Sequence, residues 1–204
     1  MQRPPFLNGK LYHIFNRGVE KRNIYLNERD YFRFLASIKD FNDVNSSINL
    51  YRRVNVGYPI SNKDKKEPLV KVICYCLMPN HFHFILKQIK DKGISRFLQK
   101  LGIGYTNYFN QKYNRSGVLF QGKSKAVLVD KEGYLNYLTQ YIYLNPLDII
   151  EPRWKDGRFK NWPKAKKFLK SYKWTGCKDY DQYDEIFTDN IPERFSGIDK
   201  YIIE

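Results

Sequence analysis

The segment from residue 70 to residue 86 constrains the fold more than any other part of the chain. Residues 70–78 form a largely apolar strand-like run, Pro79-Asn80 interrupts it, and His81-Phe82-His83-Phe84-Ile85-Leu86 resumes it. Two such runs divided by two turn residues predict an antiparallel hairpin. Side chains alternate along a strand, so His81 and His83 project from one face while Phe82 and Phe84 project from the other. Any sheet built on this hairpin carries aromatic rings on one side and two imidazoles on the other.

The flanking pattern extends that sheet. Residues 11–15 (Leu-Tyr-His-Ile-Phe) read as a strand closed by Asn16-Arg17-Gly18. Asn27 followed by Glu28, Arg29 and Asp30 reads as a capped helix start, with Tyr31, Phe34, Leu35 and Ile38 at the helical period. Ile94, Phe97, Leu98, Leu101, Tyr105 and Tyr108 predict a second helix, which Gly102 and Gly104 weaken by about 1 kcal/mol each. A short strand at 126–129 precedes a third helix over 131–144, ended by Pro146. Residues 53–69 hold no period and are expected to form a mobile loop. This order predicts an α+β, ferredoxin-like (RRM-like) fold, an antiparallel sheet with helices on one face. A domain over 1–150 and a C-terminal extension over 151–204 are expected.

Charge points to the partner. Thirty-six Lys and Arg against twenty-one Asp and Glu leave a net +15 on 204 residues, a field that favours polyanions. Residues 151–178 hold ten basic and two acidic side chains, whereas residues 179–204 hold two basic and eight acidic. The acidic tail is either a solvated flank or a segment that competes for the basic surface. Trp154, Trp162 and Trp174 fall among the lysines of the extension, as a packed appendage or a surface for base stacking. The longest apolar run, 72–78, is far short of the roughly 20 residues that span a bilayer. The first ten residues do not resemble a secretory signal, so a cytoplasmic location is expected. Three cysteines make no paired framework and are read as buried strand residues in a reducing compartment.

Two groups of residues can do chemistry. The strand pair His81 and His83 suits one divalent cation but needs a further ligand. Tyr141 and Asn145 are four apart, on one helical face, and an Asn oxygen is a ligand for a hard cation. A cation on His81, His83 and Asn145 would polarise a phosphodiester for attack by Tyr141; equally, the tyrosine can be core. Tyr143 is out of phase with Asn145 and is read as a core or DNA-contact residue. His13 is read as a strand residue outside the metal set. Arg17, Lys21, Arg22, Lys123 and Lys125 are candidates for phosphate contacts.

Tyr12-His13-Ile14-Phe15-Asn16-Arg17-Gly18, Leu77-Met78-Pro79-Asn80-His81-Phe82-His83, Gly117-Val118-Leu119-Phe120-Gln121-Gly122-Lys123 and Tyr141-Ile142-Tyr143-Leu144-Asn145-Pro146 occur in that order. Together they resemble the single-tyrosine HUH transposases, and the REP-associated tyrosine transposases in particular. The resemblance covers about residues 10–150, and Tyr172-Lys173-Trp174 resembles a tail element of the REP-associated branch. It implies that His81 and His83 bind the metal, that Asn145 completes the metal site, and that Tyr141 is the nucleophile. It further implies cleavage and rejoining of single-stranded DNA at hairpin-marked sites through a 5′-phosphotyrosine link, with Mg²⁺ or Mn²⁺ as cofactor. Relatives act as monomers or homodimers, and the extension fits the monomeric type. Two other functions use the same features. One is a non-catalytic nucleic-acid-binding module on a ferredoxin-like sheet; the other is a His-x-His metal-dependent hydrolase using water, although no acidic residue follows His83 closely.

Overall fold

Five strands pair in the order β4-β1-β3-β2-β5, every neighbour antiparallel. They belong to a computed structural model that describes residues 3–46, 67–157 and 159–177. The strands are β1 (Leu11–Arg17), β2 (Val70–Met78), β3 (His81–Gln88), β4 (Lys125–Val129) and β5 (Thr175–Cys177). The helices are α1 (Glu28–Phe41), α2 (Gly93–Lys112), α3 (Glu132–Leu144) and α4 (Trp162–Ser171). The α+β ferredoxin-like class expected from the element order is the one observed. Most of the 53–69 stretch lies outside the described residues.

Alternation sorts the central strands as the hairpin parity predicts. Tyr12, Ile14, Phe82, Phe84 and Leu86 face α1 and α2, where Phe34, Phe41, Phe97, Leu101 and Tyr105 close over them. The rings of Phe34 and Phe84 lie nearly parallel, 6.3 Å apart. Buried Asp30, at the start of α1, ties the two helices together: it accepts hydrogen bonds from Lys112 Nζ (2.5 Å), Tyr108 (2.9 Å) and Tyr113 (2.7 Å) of the α2 end. Gly104 is needed where it stands, since a Cβ there would meet the Phe41 ring at 2.3 Å. Gly102 meets nothing within 4 Å.

Helices cover the opposite face as well, which corrects the expectation of helices on one side. Cys74, Cys76, Met78, Ile85 and Val129 form a second apolar cluster with Leu138 and Ile142 of α3, Trp154, and Ala165 and Leu169 of α4. The reason is physical: these strand residues are apolar on the second face too, so both sides of the sheet need cover. The residues after 150 supply part of that cover and also a fifth strand, in which Thr175 pairs with Cys76. Trp154 is fully buried, and Trp174 stacks on Tyr31 at 4.4 Å, so these two tryptophans pack the molecule. Cys76 is buried and free. Cys74 is disulfide-bonded, against the expectation of unpaired thiols. Among the described residues, no helix is long and apolar enough to cross a membrane.

Candidate active site

Between α3 and the bare end of the second face lies a pocket of about 620 Å³, lined by His81, His83, Tyr141, Asn145, Asp148 and Lys155, with Arg17, Lys21 and Lys125 among the residues at its wall. Its floor is the strand alternation itself. β3 places both imidazoles on this face, with ring centroids 5.1 Å apart. β1 runs beside β3 with Phe15 opposite His83, which brings His13 diagonally onto His83. The two rings stack at 5.2 Å, and His13 Nε2 lies 2.9 Å from His83 Nδ1, one nitrogen donating and the other accepting.

The ceiling comes from α3 and the turn that follows it. Tyr141 lies on the buried side of α3, with its ring edge-on to His83 at 6.0 Å. Asn145 caps the helix and starts a 3-10 turn, Asn145–Ile149. Its backbone keeps helical angles, so the phase shared with Tyr141 persists across the change of helix type. The turn then repeats every third residue, placing Asp148 beside the same pocket.

Donor chemistry at His81 is specific. Its Nδ1–H donates to Asn80 Oδ1 at 2.6 Å, which leaves Nε2 as a lone pair 3.2 Å from Asn145 Oδ1, itself an acceptor. Asn145 Nδ2 is meanwhile buried without a hydrogen-bond partner among the described residues. Two arrangements resolve this: the amide turns so that Nδ2 donates to Nε2, or a cation is shared between the nitrogen and the oxygen. Burial favours the neutral imidazole at every histidine here, lowering His81 to about 4 and His13 to about 3, and His83 well below its usual range. The positive charge at Lys155 acts in the same direction on His81 and His83, as does Arg17 on His81. Neutral, desolvated imidazoles next to an amide oxygen suit a divalent cation. Among the described residues, no three of His, Cys, Asp and Glu are grouped so that they could hold a metal ion.

Of the residues proposed from sequence for phosphate contacts, the structure brings Arg17, Lys21 and Lys125 to the pocket. The loop after β1 docks on the β2–β3 turn, Gly18 N–H donating to Asn80 O (2.8 Å) and Ile24 N–H to Pro79 O (2.8 Å). Gly18 lets this loop fold back on itself, because a Cβ would sit 2.2 Å from Arg22 O. Arg17 is held by Gln121, which also lines the pocket. Arg22 instead pairs with Glu20 at 3.4 Å, and Lys123 lines a separate cleft of about 600 Å³ beside α2. Sequence reasoning left out His13, Asp148 and Lys155. Asp148 had a signal in its spacing of three from Asn145; Lys155 had none.

Comparison with known proteins bears directly on this constellation. Residues 59–145 match the model of the IS200-like transposase family, a stretch that carries both histidines, Tyr141 and Asn145. This region is IS200-transposase-like. The match spans three of the four motifs on which the sequence resemblance rests, the last as far as Asn145, and the one at residues 12–18 lies outside it. Similar solved structures include a REP-associated tyrosine transposase bound to a REP hairpin, 14% identical with a TM-score of 0.49, covering 74% of each chain. A transposase candidate from Deinococcus radiodurans is 12% identical with a TM-score of 0.40, over 70% of this chain and 95% of that one. The tRNA(His) guanylyltransferase of Saccharomyces cerevisiae is 13% identical with a TM-score of 0.34, over 85% and 76%. No curated protein matches the chain.

Proposed function

We propose that this chain is a metal-dependent tyrosine transposase that cleaves and rejoins single-stranded DNA at hairpin-marked sites. The observation that carries the reading is the meeting of Tyr141 with the His81/His83 pair, some 60 residues away in sequence and all within the IS200-like stretch, in one pocket with basic walls. His81, His83 and Asn145 would hold a divalent ion, Mg²⁺ or Mn²⁺. Bound there, the ion supplies a Lewis acid that polarises the phosphodiester and neutralises charge at phosphorus.

This chain's own residues do the rest. Tyr141 attacks phosphorus through its phenol oxygen, which loses its proton; a tyrosine–phosphorus bond forms as the bond to the 3′-oxygen breaks, and that oxygen leaves as a 3′-hydroxyl after gaining a proton. The phosphotyrosine conserves the energy of the broken bond, so rejoining needs no nucleotide cofactor. His13, in contact with His83 Nδ1, fixes the orientation of that ring. Arg17, Lys21 and Lys125 would hold the DNA backbone at the mouth. The tyrosine and both histidines of one copy suffice for the site, which supports a monomeric enzyme, with the cytoplasm as its proposed location.

The test is incubation with labelled single-stranded hairpin oligonucleotides from DNA flanking the gene, with Mn²⁺ or EDTA, read on a denaturing gel. A Mn²⁺-dependent label that stays on the protein, and is lost in Tyr141→Phe and in His81→Ala or His83→Ala while hairpin binding persists in Tyr141→Phe, is expected. Binding without adduct would favour the non-catalytic module; cleavage without adduct would favour a hydrolase.

A further inference from the structure

The strongest unexplained feature of the pocket is a lysine that the IS200-like match does not reach. Lys155 lies in the 3-10 turn Trp154–Asp156, ten residues past the end of that match. Its Nζ stands 5.4 Å from the centre of the Tyr141 ring and donates to Asp148 Oδ2 at 3.2 Å. The other carboxylate oxygen of Asp148 accepts from Trp154 Nε1 at 2.6 Å, and Trp154 is fully buried, so the anchor is rigid. The Lys155 side chain is 24% exposed and Asp148 30%.

A half-buried ion pair is weak as a stabilising device, because desolvation offsets much of the attraction. The indole takes one carboxylate oxygen of Asp148 and the ammonium the other, so Asp148 fixes both groups at the pocket. Burial works against the Lys155 ammonium, yet Tyr141 and Asp148 together outweigh it and keep the lysine charged. The surroundings thus hold a fixed positive charge beside the phenol that the mechanism uses, in a pocket where charge interactions are strong.

We propose that Lys155 is a catalytic residue, an ammonium aimed by Asp148 and Trp154 at the Tyr141 oxygen and the scissile phosphate, so that the segment after residue 150 completes the active site. The proposal rests on the tyrosine-transposase reading above. During the attack Lys155 neither gains nor loses a proton: the phenol proton leaves to solvent, the bond from phosphorus to the 3′-oxygen breaks, and the ammonium stabilises negative charge on the tyrosine oxygen and on the phosphoryl oxygens. In the reverse, rejoining step it stabilises the departing phenolate. The lysine also explains why the basic wall of the pocket continues beyond Arg17, Lys21 and Lys125 to the side where the tyrosine stands.

The test compares the full-length protein with Lys155→Met, which keeps the stem against Trp154 and Tyr141, and Lys155→Arg, which restores the charge. Single-turnover adduct formation is followed at saturating hairpin oligonucleotide with Mn²⁺, and binding of the same oligonucleotide is measured in EDTA. Lys155→Met is expected to slow adduct formation by about 100-fold or more, with binding within about threefold of wild type as for loss of one phosphate contact. Lys155→Arg is expected to recover most of the rate. Unchanged adduct formation in Lys155→Met, a loss confined to binding, or no recovery with Arg would overturn the proposal. Should Lys155→Met fail to fold by thermal melting, Lys155→Gln gives the same comparison. Absence of adduct from wild type itself overturns the underlying reading, whereas normal adduct from both wild type and Lys155→Met overturns only the role of Lys155.

Discussion

The two faces of one sheet have been put to different uses. On the face toward α1 and α2, Phe82 and Phe84 join a continuous aromatic core in which Phe34, Phe97 and Tyr105 interlock. One residue away along the same strand, His81 and His83 meet histidine, amide and lysine. Among the described residues, the first face is a mainly apolar core, although it too buries the unpartnered hydroxyls of Tyr25 and Ser37. The second keeps desolvated imidazoles and the amide nitrogen of Asn145, unpartnered among the same residues, which cost stability, and its apolar cover comes from α3 and the extension. Strand parity alone divides the two, so stability and chemistry are separated by a single peptide unit.

The largest expected effect tests the aromatic face. Phe84→Ala removes a fully buried ring and should cost about 3–5 kcal/mol in urea unfolding; a cost under 1 kcal/mol would mean that the face is not the source of stability. The histidine face should instead reveal itself through pH. His13 is held near 3 and His81 near 4, below the usual 6.5, so the unfolded chain binds more protons as pH falls. Their contribution is complete above about pH 6.5 and is lost progressively toward pH 4 and below. His13→Phe, measured in EDTA, should therefore lose about 2–3 kcal/mol less than wild type between pH 7.5 and pH 4.5. Equal acid sensitivity would show that His13 is not desolvated.

The smallest effects lie in two glycines of α2, two residues apart. Gly104→Ala should destabilise by about 1–3 kcal/mol, because its methyl group meets the Phe41 ring. Gly102→Ala should stabilise by up to about 1 kcal/mol, since open space surrounds it and alanine favours the helix. Opposite signs in thermal melts would sharpen the contrast between a packed face and an open one; matching signs would break it.

Much of this was legible in the chain. The hairpin parity assigned His81 and His83 to one face and Phe82 and Phe84 to the other, and the four-residue spacing aligned Tyr141 with Asn145, because periodicity in strands and helices is local geometry. That helices cover the second face was not legible: α3 was expected as a helix and α4 lies in the extension, but an apolar stripe does not say which surface it will bury. Trp154 and Trp174 likewise read equally well as stacking surface or as packing until their neighbours were known.

The sequence by itself determined the strand and helix order up to residue 144, the side of the sheet that each hairpin residue faces, the basic field and the motif set of an IS200-like transposase region. Only the tertiary structure decided that His13 rests on His83, that Asp148 and Lys155 close over Tyr141, and that Arg22 and Lys123 stand away from the pocket. A side chain's face follows from dihedral angles repeated every two or 3.6 residues. Its partner across tens of residues follows from how loops dock, and that is set by packing and desolvation summed over the whole molecule.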